Sequence, residues 1–144
     1  MDRVIKLIEL KCNVDDMTGE AISFAIERFY ELGATDAYTI PIGMKKSRPG
    51  ILINVCCEEQ KKDALIDAIF KYTTTIGVRE YSLFGHSLDR RIETLDTDLG
   101  TVRYKVSEGH GVEKVKFEYD DLAMIAEENG ITLDEAIRRL KAQN

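Results

Sequence analysis

The chain has 144 residues, 44% of them hydrophobic, which is enough for one domain with a single core that buries about 68–70% of the unfolded surface. Its 26 acidic and 20 basic residues give a net charge of −6, which argues against a surface made mainly to bind nucleic acid or a membrane. Three cysteines without CxxC spacing, and a first segment too charged and short for a signal peptide or membrane span, predict a soluble cytoplasmic protein.

The apolar pattern of the first part of the chain predicts four strands and two amphipathic helices. In chain order these are strand 4–10, helix 20–32, strand 37–42, strand 51–56, helix 65–72 and strand 77–83. The order β-α-β-β-α-β is that of a ferredoxin-like unit. Because crossovers between parallel strands are right-handed, the connecting segments 13–18, 44–50 and 73–79 are expected to meet at one end of the sheet.

The second part of the chain predicts an extension of this unit. Alternating residues at 101–106 and 112–117 favour an added β-hairpin. Two short helices follow: the first ends at Asn129-Gly130, and the second opens with a capping box from Thr132 to Glu135. The expected fold class is therefore α+β, a single domain with a ferredoxin-like core at 1–92 and a hairpin and helical extension at 93–144.

The loop after the first strand carries acidic side chains that suit a metal. Asn13 is followed closely by Asp15 and Asp16, at the point where the strand gives way to a helix. Adjacent carboxylates with a nearby amide suit Mg²⁺ or Mn²⁺, which prefer a few protein oxygens together with water and phosphate. The alternative interpretation is that these residues only cap the helix, since Asp and Asn are favoured caps.

The predicted hairpin loop is basic on an otherwise acidic chain. Lys45, Lys46 and Arg48 come within four positions and precede Pro49-Gly50, a turn that can present them together. Arginine offers a planar fork for two phosphate oxygens and lysine a mobile point charge. A solvated hairpin tip that carries lysine for solubility explains the same residues.

The third loop offers hydroxyl groups and a further cation. Thr74 and Thr75 precede Gly77 and Arg79, a run that could line a polyphosphate or be ordinary strand-forming sequence. If the three loops meet, carboxylates, cations and hydroxyls surround one ligand, and a metal-bound nucleoside triphosphate fits that chemistry. The chain has neither a P-loop nor a GxGxxG motif, so this would not be a Walker or Rossmann nucleotide site.

Four stretches together resemble the carboxy-terminal half of LarC-type nickel-insertion proteins. They are Asn13-Val14-Asp15-Asp16-Met17-Thr18, Met44-Lys45-Lys46 with Arg48-Pro49-Gly50, Thr73-Thr74-Thr75 with Gly77-Val78-Arg79, and Lys116 with Glu118-Tyr119 and Asp121. Proteins of that family insert nickel into a pyridinium bisthiocarboxylate mononucleotide to make the nickel-pincer cofactor of lactate racemase. Family members usually also carry an amino-terminal half, which would be a partner of this one.

The resemblance implies a CTP-dependent nickel chelatase, a cyclometallase of lyase type, of which this half binds the nucleotide. It implies CTP with Mg²⁺ or Mn²⁺, Ni²⁺ as the inserted metal, and a homotrimer or hexamer. Carried over by position, Asp15 and Asp16 approach the metal, while the nucleotide-binding residues are Asn13, Lys45, Lys46, Arg48, Thr74, Thr75 and Arg79. Lys116, Glu118 and Tyr119 match a further stretch that contacts the nucleotide, a neighbouring subunit or the pincer nucleotide.

Other interpretations remain open for the function and for the soft metal ligands. A small-molecule-sensing ferredoxin-like regulatory or oligomerisation domain fits the same fold, because fold does not set function. Cys12 is expected to be a buried thiol rather than a nickel ligand. His86 and His110 have no partners at metal-ligand spacing and are expected not to bind a metal.

Overall fold

The computed structural model describes residues 2–143 and divides them into two compact units. The amino-terminal unit spans Val4–Gly85, and the carboxy-terminal unit comprises residues 86–143 together with 2–3. Across 2–143 no helix combines the length and the apolar character needed to cross a bilayer. The assignment of residues 1–144 to a single domain stays a prediction.

The amino-terminal unit has the predicted ferredoxin-like order of elements. These are β1 (Arg3–Val14), α1 (Gly19–Glu31), β2 (Asp36–Met44), β3 (Arg48–Cys57), α2 (Lys62–Tyr72) and β4 (Arg79–Ser87), of which β1 and β4 run a few residues past the unit boundary. The sheet order is β2-β3-β1-β4, and β3 is antiparallel to both β1 and β2. The α+β, ferredoxin-like fold class is thereby confirmed.

The core of this unit forms between the two helices and one face of the sheet. Alternate residues of the central strands are buried, because successive side chains of a strand point to opposite faces. Leu10 and Val55, which lie opposite each other on β1 and β3, are both fully buried. Phe29 of α1 and Leu65 of α2 complete the same cluster. The helical stripes seen in the sequence therefore face the sheet, as predicted.

The carboxy-terminal unit is a three-stranded sheet followed by two helices. It contains β5 (Asp89–Thr97), β6 (Gly100–Gly109), β7 (Val112–Phe117), α3 (Tyr119–Asn129) and α4 (Leu133–Ala142), with sheet order β5-β6-β7. The predicted hairpin is β6 with β7. The sequence did not predict β5, because its charged residues leave almost no apolar alternation. This strand is held in the sheet by its pairing with β6 and by an ion pair between Arg91 Nη1 and Glu108 Oε2, which are 2.8 Å apart.

The two final helices begin and end where the sequence indicated. Gly130 adopts the left-handed conformation at the end of α3, with φ 62°, which glycine allows without steric cost. Thr132 Oγ1 accepts a hydrogen bond from the Glu135 backbone N–H at 3.1 Å and caps α4. The Glu135 carboxylate accepts from Arg139 Nε at 2.9 Å. The helices share a core with the sheet that includes Leu140 of α4.

Leu140→Ala should lower the free energy of unfolding by about 2–5 kcal/mol, because Leu140 is fully buried and the substitution leaves a cavity. Leu133→Ala on the same helix is the matched control: that side chain is 39% exposed, and a change within about 0.5 kcal/mol is expected. Urea denaturation followed by far-ultraviolet circular dichroism measures both. Equal losses in the two variants would contradict the assignment of the buried face of α4.

Candidate functional site

The loop after β1 and the turn between β2 and β3 lie at the same end of the sheet. The antiparallel register places Val14 opposite Ile51 and Met44 opposite Arg48. A shallow cleft of about 170 Å³ lies between these segments and is lined by Val14, Asp15, Met17, Pro49, Gly50 and Ile51. The exposed Asp15 is therefore brought beside the Pro49-Gly50 turn.

Two hydrogen bonds join the chain around the start of β4 to the chain around the end of β1. The predicted loops 13–18 and 73–79 are shorter than expected, because Asn13 lies in β1 and Arg79 begins β4. The Thr74 hydroxyl donates to Asp16 Oδ1. Arg79 Nη2 donates to Asn13 Oδ1 at 3.2 Å. The partners are 58 and 66 residues apart in the chain. Tertiary structure therefore gathers four of the predicted site residues, and it does so through bonds between the polar groups themselves.

The loop between α2 and β4 is also ordered by its own hydroxyl groups. Thr73 Oγ1 donates to the Ile69 carbonyl at 2.7 Å and accepts from the Thr75 backbone N–H at 3.3 Å. The Thr75 hydroxyl donates to the Gly77 carbonyl at 2.8 Å. Ile76 stands between these groups and is 99% exposed. This exposure is not evident from the sequence, because isoleucine after three threonines is typical of a buried strand.

The basic turn is strained and its cations are exposed. Lys46 and Ser47 lie in the left-handed region, with φ 61° and 58°, where a residue with a side chain costs about 1–2 kcal/mol. Within residues 2–143, Lys45, Lys46 and Arg48 have no hydrogen bond or ion pair through their side chains. The structure places them at the same end of the sheet as Asp15 and Asp16, without a contact to either carboxylate.

Gly50 lies in β3 and lines the cleft, at a point where the chain passes close to Met44 and to the Val14 carbonyl. A Cβ there would overlap the Met44 side chain and lie 3.1 Å from the Val14 carbonyl oxygen. Glycine therefore lets the end of β1 and the basic turn lie this near to each other without displacing Met44 or the Val14 carbonyl.

The buried thiol beneath the third loop is Cys12. It is fully buried, and burial raises its pKa, while hydrogen bonds with Thr75 and Thr73 oppose that shift. Cys12 belongs to the hydrophobic core of the amino-terminal unit, as expected. In the part of the chain that is described, no three His, Cys, Asp or Glu side chains are gathered to hold a metal. Two carboxylates suit Mg²⁺ only if water and phosphate supply the remaining oxygens.

The further family stretch lies in the carboxy-terminal unit. Glu118 Oε1 is 3.8 Å from Lys105 Nζ, and Tyr119 is 64% exposed. Lys116 is exposed on β7 opposite Lys105. Asp121 accepts two side-chain bonds from Arg103, both at 2.9 Å, which hold the pKa of its carboxyl below the ordinary value. Asp121 thus ties α3 to β6.

A half-buried thiol, Cys56, lies on β3. Cys56 Sγ accepts from Asn54 Nδ2 at 3.3 Å and lies 3.8 Å from Glu9 Oε1. Burial, with the negative charges of Glu9 and Asp36, raises the pKa of Cys56 to about 11. The neighbouring Cys57 is buried and Cys12 is fully covered, so Cys56 is the most accessible of the three thiols in the chain.

Known proteins of similar sequence identify the family of this chain. Residues 3–137 match the family described as "Nickel insertion protein". A pyridinium-3,5-bisthiocarboxylic acid mononucleotide nickel insertion protein of Alkaliphilus metalliredigens is 40% identical over 122 residues, covering 85% of this chain and 29% of the relative. One of Acetivibrio thermocellus is 35% identical over 124 residues, covering 86% and 30%.

Solved structures show the same fold. The apo form of LarC2, the C-terminal domain of a cyclometallase involved in the synthesis of the NPN cofactor of lactate racemase, has a TM-score of 0.82 and 32% identity, with 92% of each chain covered. A protein of Methanopyrus kandleri AV19 has a TM-score of 0.72 and 25% identity, covering 92% of this chain and 85% of that one.

The class of protein defined here is a ferredoxin-like α+β domain with a charged three-loop end. The chain belongs to the nickel insertion protein family. It spans about a third of the length of the curated relatives that it matches. The resemblance seen in the four sequence stretches is thereby confirmed.

Cys56 should react slowly with iodoacetamide, because the thiolate is the nucleophile and a pKa of about 11 leaves little of it at pH 8. The rate should be roughly 10- to 30-fold below that of a free cysteine, allowing for the greater intrinsic nucleophilicity of a high-pKa thiolate, and should rise with pH toward 11. Peptide mapping by mass spectrometry separates the three cysteines. Glu9→Gln should accelerate the reaction, and an unchanged rate in that variant would contradict the electrostatic cause.

Proposed function

We propose that this chain binds CTP with Mg²⁺ or Mn²⁺ at the end of the sheet formed by loops 13–18, 44–50 and 73–79. The bound nucleotide supports CTP-dependent insertion of nickel into a pyridinium bisthiocarboxylate mononucleotide by a LarC-type protein. Membership in the nickel insertion protein family, and the nickel insertion proteins among its relatives, support the nickel step. The nucleotide rests on the chemistry of the loops and on the resemblance of their sequences to LarC-type proteins.

The observation that carries the proposal is the pair of hydrogen bonds between loops distant in sequence. The bonds run from Thr74 to Asp16 and from Arg79 to Asn13. They bring a carboxylate, a hydroxyl, an amide and a guanidinium to one end of the sheet. Ordering these groups before a ligand arrives removes part of the entropy cost of binding. Structural capping alone would require none of these contacts between loops.

The proposed role of each side chain follows from the chemical group that it prefers to bind. Asp15 and Asp16 contact the divalent metal, which also binds phosphate oxygens and water. Lys45, Lys46 and Arg48 contact the triphosphate, and charge-assisted hydrogen bonds of this kind contribute about 1.5–3 kcal/mol each. Thr74, Thr75, Arg79 and Asn13 contact the remaining phosphate oxygens or the ribose.

Exposure of the basic turn fits this role. The three cations have no partner among residues 2–143, so a triphosphate does not have to displace an internal ion pair. The net charge of the chain is −6, and the metal offsets part of the repulsion between the acidic surface and the nucleotide. A metal-bound triphosphate is therefore a better ligand than the free nucleotide.

The remaining parts of the proposal concern the larger assembly. The amino-terminal part of a LarC-type protein is the expected partner, and hydrolysis of the triphosphate is proposed to accompany the metal step. A homotrimer or hexamer is proposed on resemblance alone. Lys116, Glu118 and Tyr119 are proposed to contact the nucleotide, a neighbouring subunit or the pincer nucleotide.

Asp16→Asn should weaken binding of CTP measured by calorimetry in Mn²⁺ by about tenfold or more, because an amide is a poor ligand for a hard cation. Thermal stability should change little, since an asparagine oxygen can still accept from Thr74. Asp63→Asn, an exposed carboxylate in the first turn of α2, is the control and should bind normally. Absence of CTP binding by the unaltered protein in both Mg²⁺ and Mn²⁺ would rule out the nucleotide site.

Lys46→Gly should weaken binding of CTP while raising the free energy of unfolding by up to about 1 kcal/mol, because glycine relieves the left-handed strain. Ser47→Gly is the matched control: it relieves the same kind of strain one residue later, removes no charge, and should leave the affinity unchanged. Calorimetry and urea denaturation give the two quantities. Normal CTP affinity in Lys46→Gly would favour a turn that carries lysine only for solubility.

A further inference from the structure

The only two histidines of the chain come together in the carboxy-terminal unit. His86 lies near the end of β4, and His110 occupies the turn between β6 and β7. Their ring centroids are 6.4 Å apart, with an angle of 69° between the ring planes. Their spacing in the sequence predicted no metal site, and only the folded chain makes them neighbours.

The separation of the rings is compatible with a shared metal ion. A metal lies about 2.1 Å from a coordinating imidazole nitrogen, and the ring centroid lies about 1.1 Å further, so two rings on one ion have centroids about 4.5–6.4 Å apart. The observed 6.4 Å is at the upper limit of that interval. Both side chains are exposed, so rotation about their side-chain bonds is sufficient to turn two nitrogens toward one point.

Asp2 supplies a third group beside His110. Its Oδ1 accepts from the His110 backbone N–H at 2.6 Å, and its Oδ2 is 3.5 Å from His110 Nδ1. Gly109 permits this approach, because a Cβ there would lie only 3.3 Å from Asp2 Oδ1. A carboxylate beside one ring nitrogen commonly orients a histidine whose other nitrogen binds a metal.

We propose that His86 and His110 bind a divalent transition-metal ion, with Asp2 orienting His110 or serving as a third ligand and water completing the coordination. Imidazole suits Ni²⁺, whereas Mg²⁺ and Mn²⁺ prefer oxygen ligands. Glu108 and Glu113 line the adjoining cleft of about 400 Å³, where negative charge attracts a cation. The site is thus chemically distinct from the nucleotide end of the amino-terminal unit.

The arrangement of these side chains implies weak and exchangeable binding. No group of three ligands converges on one point anywhere in residues 2–143, so the side chains must rearrange and the ion must complete its shell with water. For a family that inserts nickel into another molecule, loose binding serves release of the metal. Tight binding by four protein ligands would slow the release of the metal.

The test uses protein without an affinity tag and nuclear magnetic resonance of the imidazole rings. Because the chain has two histidines, its ring spectrum contains two spin systems, and substoichiometric Ni²⁺ should broaden both. Calorimetry should show affinity for Ni²⁺ reduced by about tenfold or more in His86→Gln and in His110→Asn. Asparagine tolerates the left-handed conformation of His110, which has φ 49°.

Specific outcomes would overturn the inference. Unbroadened ring signals at saturating Ni²⁺, or unchanged affinity in the variant that lacks both histidines, would show that the imidazoles do not bind the metal. Displacement of Ni²⁺ by equimolar Mg²⁺ would assign the ion to oxygen ligands instead. Asp16→Asn should bind Ni²⁺ normally, and both histidine variants should bind CTP with Mn²⁺ normally. A failure of the proposed nucleotide site can therefore be distinguished from a failure of the proposed histidine site.

Discussion

The candidate site depends on two hydrogen bonds between the chain around the start of β4 and the chain around the end of β1. Antiparallel pairing of β1 with β3 places the end of one strand beside the start of the other, and the sheet order puts β4 on the far side of β1. The loops therefore meet, and Thr74 and Arg79 reach Asp16 and Asn13. Without these bonds, the carboxylates after β1 would serve only to cap α1. The threonines before β4 would serve only to connect α2 with β4.

Local strain and exposure coincide at the end of the sheet that carries the proposed nucleotide site. Lys46 and Ser47 are held in a left-handed turn that glycine would adopt at lower cost. Strain of this kind persists where surrounding structure enforces it, and it concentrates at sites that bind ligands. The lysine charge is kept at the turn although glycine would make the hairpin more stable, which is consistent with a role for the charge in binding.

The chain also separates two kinds of cation chemistry. The amino-terminal unit offers carboxylates and an amide, which suit hard ions that retain water and phosphate. The carboxy-terminal unit offers two imidazoles, which suit nickel. Under the two proposals, the metal of the nucleotide and the nickel ion would bind to ligand sets that do not compete. Cys12, the thiol beneath the loops, is fully buried in the core of the amino-terminal unit.

Sequence alone determined the ferredoxin-like order, the core stripes and the caps at Gly130 and Thr132, because apolar periodicity and cap chemistry are local properties. It also placed the acidic and basic loops at one end of the sheet, since strand order and crossover handedness follow from the elements. It did not reveal β5, whose charged residues hide the alternation. Only the tertiary structure decided the partners of Asp16 and Asn13 and the meeting of His86 with His110, because contacts between residues far apart in the chain depend on register and on side-chain direction.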